Sequence, residues 1–213
     1  MKTLFIDTSS NTLSVALLLN DEIECIREIN SINEHSKYTI NEINEILKYT
    51  KTNPKDIKKV MVINGPGSFT GLRIGVAVAK TFGWSLNINV IPISTLKAYA
   101  LSNVGYDYYI SLIDARREHV YALILDKDYN NCIDEKYMSI NELNDNINKL
   151  SGTKLIIGDI KIKDTLKHVN PILDIKKIYD FYKSKEGINA HKLVPNYLKK
   201  VEAEEKLGSE ING

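Results

Sequence analysis

VINGPGSFTGLRIGVAVAKTFG, residues 62–83, decides how the rest of this chain is read. A hydrophobic strand runs into a glycine-rich loop, and the loop runs into a helix. Backbone N–H groups at such a helix start form a ready cradle for an anion, so phosphate is the obvious guest. The loop nevertheless misses each phosphate template. A P-loop needs Lys after its second glycine, but Gly71 is followed by Leu72 and Arg73, and the spacing from Gly65 is one residue too long. The dinucleotide fingerprint fails because its third glycine comes one place late. Ser68 directly follows Gly67, which rules out a Gly-x-Ser-x-Gly nucleophile elbow. A structural tight turn is the favoured reading of the loop. The helix beyond it places Gly71, Gly75, Ala79 and Gly83 four residues apart, on one face. Interior glycine costs a helix roughly 0.8–1 kcal/mol relative to Ala, so a stripe of small residues implies a close backbone approach. The pattern leaves open whether the groove seats this chain's own helix at 36–50 or a partner's. Ile74, Val78 and Phe82, on the other side, are expected to face the core.

Working outward, 213 residues suffice for one large domain or two small lobes. Hydrophobic residues at 43% and charged residues at 26% are those of an ordinary globular protein. A net charge of +1, from 28 basic and 27 acidic residues, argues against nucleic-acid binding through one strongly basic face. Cys25 and Cys132 lie far apart without C-x-x-C spacing, which suggests neither a disulfide framework nor a zinc site. The opening MKTLFIDTSS is too short and polar for a signal peptide, and no run approaches the roughly 18 apolar residues of a membrane span. A cytoplasmic location without membrane attachment is expected.

Periodicity predicts strands at 2–8, 12–19 and 22–29, with turn residues between them, then a helix over 36–50 with Ser36 as its N-cap. A strand at 58–64, the glycine loop, a helix over 71–86, a strand at 89–93 and a helix over 95–103 capped by Ser94 complete the first half. The second half restarts with strands at 108–114, 119–125 and 132–138. A helix over 139–149 follows, where Ser139 and Glu142 match a capping box. A strand at 154–159 and a helix over 174–185 close the series. A three-strand meander followed by helix and strand therefore occurs twice. This predicts an α/β protein with two lobes around a cleft, divided into 1–104 and 105–213, the second lobe shorter. The charged tail beyond residue 201 is expected to be partly disordered.

I-D-T-S-S at 6–10, E-H-S at 34–36, G-P-G-S-F-T-G-L-R-I-G at 65–75, S-T-L at 94–96, D-A-R at 114–116 and P-N-Y-L-K at 195–199 stand in the order they have in the bacterial TsaB (YeaZ) family. The resemblance spans nearly the whole chain, and the glycine run is its most specific element. It implies an ASKHA fold of the actin, Hsp70 and sugar-kinase type, with an RNase H-like duplication. It also implies a role in making threonylcarbamoyladenosine in tRNA, as a non-catalytic subunit supporting a TsaD-like transferase, with a TsaE-like ATPase docking on the pair. tRNA would be reached only through that complex, and the isolated chain could pair with itself. The interface residues this points to are His35, Tyr38, Gly67, Ser68, Phe69, Thr70, Gly71, Arg73, Gly75 and Ala79.

The alternatives are an independent ATP-dependent ASKHA enzyme and a glycoprotease-like hydrolase. The catalytic relative holds its metal through His-x-x-x-His, but here Thr39 stands four residues after His35, so no metal site is expected. Phosphate-gripping ASKHA turns carry a glycine that lets backbone approach the phosphate; Asp7-Thr8-Ser9 lacks it, and Asp114-Ala115-Arg116 has Arg instead. Asp7, Thr8, Asp114 and Arg116 remain weak cofactor candidates, the two carboxylates facing each other or capping turns. No cofactor is expected in the isolated chain; ATP or ADP with Mg would enter only at the partner interface. No Ser or Cys sits in a recognised arrangement with His, so no catalytic residue is assigned.

Overall fold

The computed structural model describes residues 1–31 and 34–199. The tail beyond residue 201, where disorder is expected, lies outside the described residues.

The first three strands, β1 (Lys2–Asp7), β2 (Thr12–Leu19) and β3 (Glu22–Asn30), form the predicted antiparallel meander. Asn20 and Asp21 turn it with positive φ of 50° and 73°, a conformation their short polar side chains tolerate. After α1 (His35–Tyr49), strands β4 (Ile57–Gly65) and β5 (Val90–Ser94) add in parallel on the other side of β1, with α2 (Phe69–Leu86) crossing between them. The resulting sheet has the order β3-β2-β1-β4-β5. Helix α3 (Thr95–Leu101) then leads to the second sheet. There β6 (Tyr108–Asp114), β7 (His119–Asp126) and β8 (Asn131–Ser139) repeat the meander. After α4 (Ile140–Asn148), β9 (Lys154–Gly158) and β10 (Lys167–Val169) repeat the parallel pair. The second sheet, β10-β9-β6-β7-β8, has the same topology as the first, so the duplication expected of the ASKHA fold is complete to the fifth strand.

Alternation along each strand divides the interior into layers. Leu4, Ile6, Val15, Leu17, Val60 and Val62 face α1 and α2, whereas Phe5, Ala16, Leu18, Met61 and Ile63 face α3. In the second sheet Ile110, Leu112, Val120, Ala122 and Ile124 face α4. Tyr109, Leu123 and Leu125 face α3 from the other side. Helix α3 is therefore shared: Ala98 and Leu101 pack on the first sheet, Leu96, Tyr99 and Ala100 on the second. The last helix, α5 (Ile175–Tyr182), lays Ile175, Ile178 and Tyr179 on the first sheet. The chain after it stays with that sheet. Ile188 bridges Val90, Ala190 and Leu193 enter the core beside α1 and α2, and Asn196 N–H donates to the Asn64 carbonyl at 2.7 Å.

Two of the expected caps differ. Helix α1 starts one residue before Ser36, and the Glu34 side chain makes no capping bond. Ser139 accepts from Glu142 N–H at 3.1 Å, but the Glu142 carboxylate turns to Lys136 and leaves the box half made. Ser94 caps α3 as expected. Among the described residues, no helix is long and apolar enough to cross a membrane.

Candidate functional site

The glycine loop and the end of β1 are pressed together backbone to backbone. The Asp7 carboxylate accepts from Ser9 N–H at 2.8 Å, a local turn that aims Thr8 and Ser9 at the start of α2. Thr8, fully buried, donates its hydroxyl to the Gly71 carbonyl at 2.7 Å, and Ser68 N–H donates to the Ser9 carbonyl at 2.7 Å. A Cβ on Gly71 would stand 1.9 Å from the Thr8 carbonyl oxygen, one on Gly75 2.3 Å from the Thr8 hydroxyl, and one on Gly67 2.5 Å from the Ser9 carbonyl oxygen. These glycines are small because Thr8 and Ser9 occupy the space a side chain would fill.

This geometry corrects the reading of the small-residue stripe. Gly71, Gly75 and Ala79 are buried against the chain itself, and Gly83 is closed off by Val90 and Ala190. At Gly71 and Gly75 the groove holds the Thr8 turn, while Ala79 lies in the core cluster with Ile43, Ile46 and Leu47 of α1. Thr8 likewise has no free hydroxyl for a cofactor. The anion cradle is also partly spent, since Ser68 N–H is bonded to Ser9 and Gly71 N–H to the capping Ser68 hydroxyl at 3.2 Å.

The face expected to be core is half-covered: Val78 and Phe82 pack against the core of the first sheet while staying partly buried, and Ile74 is half-buried beside the loop. Phe69 is 44% exposed, Trp84 68% exposed, and Ile40 of α1 47% exposed. Gly67, Ser68 and Thr70 are exposed at the mouth of the loop, and Tyr38 is half-buried on α1. Ser68, Thr70, Gly71 and Ile74 share a depression of about 280 Å³ with Ser10 and His35. The sequence candidates there do converge. His35 is buried, with Nε2 2.7 Å from the Ser10 carbonyl oxygen and Nδ1 2.9 Å from that of Ser31. Both ring nitrogens are engaged by backbone, so His35 ties the start of α1 to the β1–β2 turn. Phe69 and Arg73 are held differently: the Arg73 guanidinium lies 3.9 Å over the Phe69 ring and donates to the Tyr197 hydroxyl at 3.0 Å, while Tyr197 stacks on Phe69 at 5.2 Å.

The cleft carboxylates cap turns. Asp114 accepts from Arg116 N–H at 2.8 Å, the counterpart of the Asp7–Ser9 bond in the other lobe. Arg116, Arg117 and Glu118 follow with φ of 63°, 52° and 57°, an all-left-handed turn in which Arg116 is exposed. Asp7 opens onto a cavity of about 240 Å³ shared with Glu28, Tyr99 and Ile172. Burial pushes the Asp7 carboxyl up to about 6, against its bonds from Ser9 and the nearby His35, with Glu28 adding to the rise. Burial, then Asp7 and Asp159, likewise hold the Tyr99 phenol above its usual range. Among the described residues, no three His, Cys, Asp or Glu side chains cluster to hold a metal.

Residues that the sequence did not single out complete the picture. Asn196 donates to Glu135, whose carboxylate also accepts from Ser94, so the segment after α5 fastens β8 to the start of α3. Only the P-N-Y-L-K string hinted at this.

The chain matches the family model described as tRNA N6-adenosine threonylcarbamoyltransferase, TsaD, over residues 28–210. It is 31% identical to the tRNA threonylcarbamoyladenosine biosynthesis protein TsaB of Bacillus subtilis, over 97% of each chain. It is 29% identical to the TsaB of Buchnera aphidicola from Acyrthosiphon pisum, over 95% of this chain and 91% of that one. Among solved structures, YeaZ from Pseudomonas aeruginosa superposes with a TM-score of 0.75 at 18% identity, covering 92% of this chain and 99% of the other.

Proposed function

The chain belongs to the TsaB family of tRNA threonylcarbamoyladenosine biosynthesis proteins, and on that premise we propose that it serves the pathway as a non-catalytic subunit paired with a TsaD-like transferase. The observation that carries this reading is the set of large apolar side chains left exposed on α1 and α2, namely Ile40, Phe69 and Trp84, with Ile74 half-buried in the depression beside the loop. Large apolar side chains left at the surface of a well-packed protein support a docking face. The cleft supports the same reading from the other direction. Thr8 is spent on α2, and Asp7 and Asp114 are spent on turns.

In this scheme a TsaE-like ATPase docks on the pair, tRNA is met through the complex, and ATP or ADP with Mg enters only at the shared interface. Without its partner the same face pairs with a second copy about a twofold axis. Trp84→Arg tests the assignment, because this α2 side chain is 68% exposed and its replacement leaves the core intact. Sedimentation of the variant with the TsaD-like subunit is expected to show two separate species, while thermal unfolding of the variant alone stays within about 0.5 kcal/mol of the parent. An intact complex would remove α2 from the interface. The independent-enzyme reading has its own test: micromolar binding of ATP and Mg by the isolated chain in calorimetry would favour it.

A further inference from the structure

After the last helix the chain crosses from one lobe to the other, and residue 196 holds both. The Asn196 main chain belongs to the first sheet. Its N–H donates to the Asn64 carbonyl at 2.7 Å, and the Asn64 side-chain amide returns a bond to the Val194 carbonyl at 3.1 Å. The Asn196 side chain belongs to the second sheet, where its amide donates to the Glu135 carboxylate of β8 at 2.6 Å. Ser94, the last residue of β5, donates to the other oxygen of that carboxylate. The next residues divide in the same way. Tyr197 stacks on Phe69 and accepts from Arg73 of α2, Leu198 packs with the layer between α3 and the second sheet, and the Lys199 ammonium lies 4.9 Å from the centre of the Tyr137 ring of β8. Gly65 makes room for this crossing: a Cβ there would stand 2.6 Å from the Asn196 carbonyl oxygen.

We infer that residues 194–199 and Glu135 form a clasp that fixes the angle between the two lobes. Helix α3 moves with the second lobe, because Lys97 donates to the Tyr129 carbonyl and the Tyr129 hydroxyl donates to the Asn103 carbonyl at 2.6 Å. Toward the first sheet α3 presents Ala98 and Leu101, and apolar contact has no preferred direction. At the end of α3 the Ser102 hydroxyl accepts from Asp174 N–H at 2.8 Å. One such bond leaves rotation about itself free. The bonds to Glu135 lie at the start of α3, a helix length away, and hydrogen bonds weaken when bent. The two ends together therefore define one angle. The clasp does not rest on the pairing with a transferase. It means that any partner touching both lobes meets a surface already arranged, so association does not have to order them.

The test measures the distance between the lobes in the full chain by double electron–electron resonance. Spin labels are carried by Lys48→Cys on α1 and Asp145→Cys on α4, both exposed positions, with Cys25→Ala and Cys132→Ser removing the native thiols. The parent is expected to give one narrow distance. Glu135→Ala removes both lobe-to-lobe bonds, and Asn196→Asp sets a second carboxylate against Glu135. Each is expected to double the width of the distribution or more at pH about 8, where both carboxylates are ionised, while far-ultraviolet circular dichroism stays that of the parent. A Glu135→Ala distribution equal to that of the parent overturns the inference. So does broadening in Glu135→Ala with Asn196→Asp unchanged, which would assign the angle to Ser94 alone.

Discussion

A carboxyl group with almost no access to water is an odd choice for capping a turn. Asp7 is only 3% exposed, and burial holds its carboxyl up at about 6. Its folded value lies above its unfolded value of 3.8, so between the two the folded state binds more protons. Stability is therefore greatest below that window and falls as pH rises through it, with the full cost present above about 6. Asparagine keeps the oxygen that accepts from Ser9 and carries no charge. Asp7→Asn is expected to raise stability at pH about 7.5 by on the order of 2 kcal/mol relative to the parent, and to have much less effect near pH 4. Urea unfolding at the two pH values checks this; an equal effect at both would mean that the buried charge is not the cause. Its counterpart Asp114 caps the equivalent turn in the other lobe while exposed.

Among the elements, α2 shows how far a pattern can be read without its surroundings. Alanine in place of an interior glycine normally gains about 1 kcal/mol of helix propensity. In Gly75→Ala that gain is outweighed, because the new methyl meets the hydroxyl of Thr8, a β-branched side chain with few alternative rotamers. Net destabilisation of about 1–2 kcal/mol is expected, and a larger loss for Gly71→Ala, where the obstacle is backbone. Chemical denaturation of the pair gives the order, and a stabilised Gly75→Ala would mean that Thr8 yields freely. The order and type of all five α-helices and of nine strands were legible from local periodicity, since each strand alternates between two well-filled layers and each helix shows one apolar face. Strand β10 was not: three residues, Lys167 to Val169, are too few to carry a period. The stripe on α2 was seen, with its neighbour left open between α1 and a partner. Spacing says that something comes close, while only the tertiary fold reveals that it is Thr8. Val78 and Phe82, read as core-facing, do pack on the core while staying half-buried. Of the site candidates, His35, Ser68, Thr70 and Gly71 do meet around one depression.

At the scale of the whole molecule, two copies of one sheet are joined by elements that belong to neither copy alone. Helix α3 fills the space between the sheets, α5 returns to the first, and residues 188–197 run along it toward α2. Leu193 is fully buried in the core beside α1 and α2. Leu193→Ala is expected to cost on the order of 3 kcal/mol, with unfolding still a single transition because α3 packs on both sheets. Denaturation followed by Trp84 fluorescence and by far-ultraviolet circular dichroism checks this, and two separated transitions would show that the sheets unfold independently. The position of Leu193 also bears on how the protein is made. A chain emerges from the ribosome from its first residue onward, and N-terminal units commonly fold while the rest is still being translated. Here the first sheet can be laid down early, but its core stays unsealed until α5, Ala190 and Leu193 have cleared the exit tunnel. The lobe synthesised first is the lobe completed last, and for that interval its apolar layers are open to chaperones and proteases.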